Sequence, residues 1–284
     1  MDLGFVSLNT PRDIAPGMLG RELESRGFES IWVGEHPQIP VSARDQFPAG
    51  LLAAQKRMWD PLLSLLMAAQ ATSNLRIGTA VALPLERELF TFAKEVATLD
   101  QMSTGRLLLG VGVGIRAELE VSRSIGWSDR YRALRDTVAA LDSLWGDDES
   151  EYHGEFNDFG PVWSYPKPYQ RPRPKLLAAA TGRKATRDCL PWADGWLPGD
   201  AAFKDVSGAL ADFRHAAEDA GRDPAMLDLT IMAWGEPSLA LLASYRELGF
   251  NRAVVGGGRR DAHDPGATLS FLDRYASMID EVRS

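Results

Sequence analysis

Cysteine is nearly absent from this chain: Cys189 stands alone among 284 residues. A single thiol excludes an internal disulfide framework and the multi-cysteine metal clusters, and it suits a reducing compartment. Metal-ligand histidine pairs are missing as well. His36, His153, His215 and His263 lie far apart, with no H-x-H or H-E-x-x-H spacing to supply two ligands from one element. No G-x-S-x-G elbow offers a serine nucleophile. Basic blocks are absent, and 39 acidic against 31 basic residues leave a net charge of −8, which argues against nucleic acid as a partner. The longest nearly apolar run, PLLSLLMAAQA at 61–71, is too short to span a bilayer. The opening MDLGFVSLNT carries an acid at position 2 and no basic region before its apolar residues, so it reads as a first strand and not a signal peptide. The expectation is a cytoplasmic protein.

What the chain does have is rhythm. Short β-branched or leucine-rich runs at 3–8, 30–36, 75–83, 106–112, 175–181, 195–198, 227–234 and 252–256 alternate with stretches of helical period. Phe92, Val96, Leu99 and Met102 form one such stripe, and Leu134, Val138, Leu141 and Trp145 another. Eight βα units predict a single (β/α)8 barrel domain over 1–284, since about 250 residues is typical of that fold; an open doubly wound sheet is the alternative. Two excursions interrupt the rhythm, at 37–59 after the second strand and at 146–174 before the fifth. Loops of that length are usually functional or hide structure of their own, and EYHGEF at 151–156 suggests a small hairpin.

In such a barrel the carboxyl ends of the strands carry the chemistry. The fourth strand runs GRLLLGVGVG at 105–114, and its alternating glycines clear side chains from the strand end. The spacing is not G-x-G-x-x-G, so a dinucleotide fingerprint is a poor match; tight strand packing and close approach of a cofactor both remain open. After the fifth strand, Thr181, Gly182, Arg183, Lys184 and Arg187 gather hydroxyls and cations at a helix start, which suits a phosphate, or else is a solvated basic patch. His36 shares a strand face with Trp32 and Gly34 and should sit at the mouth, where an imidazole can move a proton near neutral pH. Glu35 should face the other way, toward a neighbouring helix or loop. With no nucleophile or metal cluster in view, a bound organic cofactor is implied.

Taken together, these motifs resemble the bacterial-luciferase-like flavin and deazaflavin oxidoreductase superfamily, in particular its coenzyme F420-dependent branch. The most specific block is LRIGTAVALPLERELFTFAKEVATLDQMSTGRLLLGVGVG at 75–114, supported by WVGEHP at 32–37, DPL at 60–62, YPKPYQRPRPK at 165–175 and ADGWLP at 193–198. The resemblance implies a TIM barrel whose third-strand bulge, often with a non-proline cis peptide, supports a flavin or deazaflavin ring, here on Thr79, Ala80 and Val81. It implies that Gly112, Gly114, Thr181, Gly182 and Arg183 flank the cofactor's ribityl chain and phosphate, and that His36 lines the ring and transfers a proton. The chain departs from the family pattern at Ile115, directly after the glycines; Glu118 corresponds to the carboxylate that follows there, and no role for it is inferred.

The expected activity is hydride transfer between F420 and a largely apolar organic substrate. Arg173, Arg183, Lys184 and Arg187 are expected near one rim to offset the phosphate and oligoglutamate charges of F420. FMN, in a luciferase-like monooxygenase, is the alternative, and a non-catalytic flavin- or deazaflavin-binding protein a further one. Phe47, Met58, Trp59, Trp127, Trp163 and Trp234 are candidate pocket walls. By analogy with relatives, a homodimer is possible.

Overall fold

The computed structural model describes residues 1–46, 49–122, 125–259 and 261–284. Eight parallel strands close into a barrel: β1 (Asp2–Ser7), β2 (Ser30–Val33), β3 (Arg76–Ala82), β4 (Leu107–Val111), β7 (Lys175–Ala178), β8 (Gly195–Trp196), β9 (Asp228–Met232) and β10 (Arg252–Val255). The remaining strands, β5 (Ser150–His153) and β6 (Asp158–Val162), form a separate antiparallel hairpin. Each of the eight sequence runs became a barrel strand, in chain order, and β1 closes the ring against β10 through Asp2↔Arg252 to Phe5↔Val255.

Period-2 alternation divides the apolar side chains between two cores. Trp32, Leu108, Leu177, Leu197 and Val254 point into the barrel, with Val6, Ala80, Val81 and Met232 packed against them, one or two residues from each of seven strands and Leu197 from just past β8. The other buried side chains, from Leu3 to Val282, fill the layer between sheet and helices. Trp32 fixes the inner layer. Its indole N–H donates to Ser30 Oγ at 2.7 Å, and its ring lies so near the flanking strands that a Cβ on Gly4 or Gly78 would meet it at 2.8 and 2.5 Å.

The helices around the barrel start on their own side chains. Asp60 accepts the Leu63 N–H at 3.0 Å ahead of Pro61, and Asp264 accepts the Ala267 N–H at 3.0 Å ahead of Pro265. Proline at the first helical position sacrifices no hydrogen bond, so both devices mark a start at little cost. Both excursions hold structure. The first contains the 3-10 segment Val41–Gln46 and the helix Ala49–Gln55; the second contains the expected hairpin, with β5 and β6 bracketing residues 154–157. Asp136, on the helix Arg130–Gly146, accepts the N–H groups of Glu155, Phe156 and Asn157 at 2.9, 3.2 and 2.9 Å and so pins the hairpin tip.

At the amino-terminal end of the strands, charge is paired. Arg252 donates to both carboxylate oxygens of Glu29 at 2.6 and 2.7 Å and reaches Thr230 Oγ1 at 2.8 Å. Arg106 donates to the carbonyls of Ala69, Leu75 and Ser103 at 2.7, 2.9 and 2.8 Å. Arg173 belongs to this end as well, because it precedes β7: its guanidinium bonds Asp142 Oδ1 at 2.6 Å, Asp194 and the Trp192 carbonyl. The expectation that Arg173 lies on the rim with Arg183 is therefore wrong. A residue just before a strand and a residue just after it stand at opposite ends of the barrel.

Candidate active site

The carboxyl end of the barrel is organised by an irregularity in β3. Against β4, Thr79 pairs with Leu109 and then Ala82 with Val111, so β3 spends three steps where β4 spends two. The peptide between Ala80 and Val81 is cis, as the resemblance implied. Thr79 is fully buried, and its hydroxyl donates to the Gly110 carbonyl at 2.7 Å, whereas Ala80 and Val81 are half-buried at the mouth.

This bulge explains the glycines of β4. A Cβ on Gly110 would lie 2.1 Å from the Thr79 carbonyl oxygen, and one on Gly112 would lie 2.7 Å from Val81 Cγ2. What approaches the end of β4 so closely is the protein's own third strand. Of the two readings left open by the sequence, tight strand packing accounts for Gly110 and Gly112 directly. Gly114 differs: it adopts φ 65°, a conformation side chains rarely take, and turns the chain toward Glu118.

His36 and Glu118 meet across this mouth. His36 Nδ1 lies 2.7 Å from Glu118 Oε1, and the carboxylate is fully buried while the imidazole stays 14% exposed. The second oxygen, Oε2, is buried with no hydrogen-bond partner among the described residues. Gln38 adds a bond to the Glu118 carbonyl at 3.1 Å, tying the loop after β2 to the helix Arg116–Ser122. Glu118, to which the sequence assigned no role, is thus the residue that orients the histidine.

Glu35 turns the other way, as its strand position requires, and accepts from Leu83 N at 2.8 Å and Arg87 Nε at 2.7 Å. Burial pushes its carboxyl above the ordinary range, against the pull of the adjacent guanidinium. Arg87 also binds Asp60 at 2.6 Å and Glu95 at 2.9 Å, so one cation fastens the ends of β2 and β3 to two helices. Between these groups lies a cleft of about 320 Å³ lined by His36, Pro37, Met58, Trp59 and Glu86. The expected walls Met58 and Trp59 are there.

A second cleft, of about 500 Å³, opens where the helices Arg130–Gly146 and Arg183–Cys189 begin. Thr181, Gly182, Arg183 and Lys184 line one side, and Arg130, Arg132 and Arg135 the other, with Asp129 and Asp188 as the acids. Gly182 holds φ 86° with nothing within 4 Å of where a Cβ would stand, and no side chain caps the helix that starts there. Arg183 and Lys184 are exposed and have no ion-pair partner among the described residues. Arg130 stacks over Trp127 at 4.1 Å and Tyr131 at 4.7 Å, and its Nε is buried with no hydrogen-bond partner among the described residues. The sequence reading missed these three arginines; their signal was the RYRALR run at a helix start, where cations oppose the helix dipole.

Arg187 lines an adjoining cleft together with Gly182, Arg183 and Lys184, against Trp196, Phe203 and Phe213. Trp234 stands exposed after β9, its backbone N–H donating to Asp200 Oδ1 at 3.0 Å. Trp163 is 76% exposed just past the hairpin. Phe47 lies outside the described residues. Among the described residues, no cluster of three metal-ligating side chains exists, and no helix is long and apolar enough to cross a membrane.

Comparison with known proteins agrees with this geometry. The profile of the luciferase-like monooxygenase family matches residues 17–254. An uncharacterized protein of Mycobacterium tuberculosis is 35% identical over 288 residues, covering 98% of this chain and 99% of its own. Among solved structures, an F420-dependent secondary alcohol dehydrogenase, in complex with an F420-acetone adduct, superposes with a TM-score of 0.76 at 18% identity over 100% of this chain and 99% of its own. The oxygenating constituent of a Pseudomonas putida type II Baeyer-Villiger monooxygenase, in complex with FMN, superposes at 0.72 with 13% identity over 98% of this chain and 97% of its own. At such identities the likeness to the solved structures establishes the fold alone. The closed barrel and the match over most of the chain make this protein a member of the luciferase-like monooxygenase family.

Proposed function

We propose that the protein is an oxidoreductase that passes a hydride between coenzyme F420 and an organic substrate. The observation that carries this reading is the buried Glu118 holding His36 at the mouth, 2.7 Å from Nδ1. A buried carboxylate at Nδ1 favours the tautomer that keeps the proton there and leaves Nε2 as the nitrogen that exchanges one. His36 then gives or receives a proton at Nε2 as the substrate's oxygen changes charge.

The donor set fits a phosphorylated, polyanionic cofactor. The uncapped amides beside Gly182, with Thr181, Arg183 and Lys184, would hold a phosphate, and Arg130, Arg132 and Arg135 opposite would meet further carboxylates. Ala80 and Val81 would offer main chain to a flat ring, with Gly114 beside the chain that leads from it. When bound, the deazaflavin supplies a carbon that carries hydride and reacts poorly with oxygen. The protein supplies position and excludes water.

FMN is the second reading, since one phosphate would use the same amides. Titration separates the two. F420 should bind at least tenfold more tightly than FMN, with an affinity that falls as salt rises, because its tail meets several cations; tight FMN binding without F420 affinity overturns the reading. With F420 bound, His36→Ala should lower kcat by about 10²–10⁴. Glu118→Gln should instead move the pH profile of kcat, as expected of a residue acting through the imidazole. Unchanged hydride transfer in both variants would leave a binding protein without this machinery. The exposed Met18, Leu63, Met67 and Met102, on three early helices, favour a homodimer, which sedimentation at micromolar concentration tests.

A further inference from the structure

A third cleft of about 590 Å³ lies one strand away from His36, between the ends of β1 and β10 and the helix Ala49–Gln55. Leu8, Leu51, Ala53 and Ala54 give it an apolar wall, and Arg12, Arg57, Arg259 and His263 face it from three segments of the chain. The facing acids are fewer and already engaged. Asp13 accepts from the Thr10 N–H at 2.7 Å through one oxygen and lies 3.0 Å from His263 Nδ1 through the other, and Asp261 binds Arg259 at 2.8 Å. Arg12 and Arg57 are exposed and have no carboxylate partner among the described residues.

Arg259 is the unusual member. Its side chain is 1% exposed, lies 4.3 Å over the Phe271 ring, and keeps a buried Nε with no hydrogen-bond partner among the described residues. A guanidinium taken out of water with a donor unfilled is destabilising unless something else meets it. The strand arrangement links this cleft to the proton-transfer site. β1 lies between β10 and β2, and Asn9 at its end exchanges two bonds with Trp59, 2.8 and 3.1 Å, which hold Arg57, Met58 and Trp59 between the two clefts.

We propose that this cleft binds an oxyanion, a carboxylate or phosphate, carried on an apolar body, and that it selects the substrate of the activity proposed above, on which that second part rests. Arg259 and His263 form the fixed floor; Arg12 and Arg57 close on the anion from the exposed side; the apolar wall takes the body of the molecule. A neutral alcohol of the same length gains the wall and loses the cations.

Calorimetric titration of the full chain without cofactor, using octanoate, octyl phosphate and 1-octanol at low salt, tests the site by itself. Octanoate or octyl phosphate should bind at least tenfold more tightly than 1-octanol, and the order of those two identifies the oxyanion. Replacing both exposed cations, Arg12→Gln with Arg57→Gln, should weaken the preferred anion at least tenfold and leave 1-octanol and the melting temperature unchanged; Arg259 is spared because its loss would disturb the core. Equal affinity for octanoate, octyl phosphate and 1-octanol, no binding of any of them, or full anion affinity in the double variant overturns the proposal. Discrimination with no F420 binding would keep this site and sink the cofactor reading, and F420 binding without discrimination would do the reverse.

Discussion

The two ends of the barrel differ in positive charge: the carboxyl end holds open cations beside paired ones such as Arg87. At the amino-terminal end, Arg252, Arg173 and Arg106 are saturated by carboxylates and carbonyls. At the carboxyl end, Arg12, Arg57, Arg183 and Lys184 have no ion-pair partner among the described residues. Cations that serve the frame are satisfied by the frame, whereas those left open on the rim are the ones the proposed anion sites would use. The division matches the general rule that one face of such a barrel bears stability and the other chemistry.

The sharpest way to break this contrast is Arg252→Ala. It would leave Glu29 with only the half-exposed Arg76 at 3.5 Å and Asp228 with only the exposed Lys175 at 3.7 Å, and urea denaturation should record a loss of about 3 kcal/mol. F420 affinity of the folded fraction should not move. Arg173→Met sharpens the same point: stability falls and cofactor binding stays, whereas an Arg173 on the rim would give the opposite result. Replacing the open cations, Arg183→Gln with Lys184→Gln, should reverse the pattern. Cofactor affinity should drop roughly tenfold or more and depend less on salt, while stability changes by less than about 0.5 kcal/mol.

The smallest effect is the most specific to pH. Cys189 ends the helix that carries those open cations, and burial, aided by Asp188, pushes its thiol up to about 12. An unfolded thiol titrates near about 8.5, so the neutral form's contribution is complete below that value and is lost as pH rises toward 12. Between pH 8 and 10 the protein should lose roughly 1–2 kcal/mol more than its Cys189→Ala variant, measured by denaturant titration.

Most of the frame was readable because parallel strands buried on both faces are near-continuous apolar runs, and all eight stood out. The break in β3 came from the resemblance and not from any periodicity of IGTAVAL. Charge at a distance was harder. Glu118 and His36 are 82 residues apart, and only closure of β2 against β3 and β4 joins them. Arg173 was misplaced because four residues of β7 separate floor from rim. Arg130, Arg132 and Arg135 were passed over because cations on a helix usually mean a solvated face, and what sets these apart is the helix Arg183–Cys189 facing them.

Trp32 has one more consequence. With the indole in the lumen bonded to Ser30, and both flanking strands trimmed to Gly4 and Gly78, the four positions are coupled: a Cβ on Gly4 would meet Ser30 Oγ at 2.5 Å as well as the indole. Single-site diversification would score each as intolerant, yet a joint exchange that shrinks both the plug and its serine partner and restores methyls on either side conserves the enclosed volume. The inheritance of this barrel's interior is therefore a linked trait, and a survey that varies one codon at a time would mistake that linkage for four independent necessities.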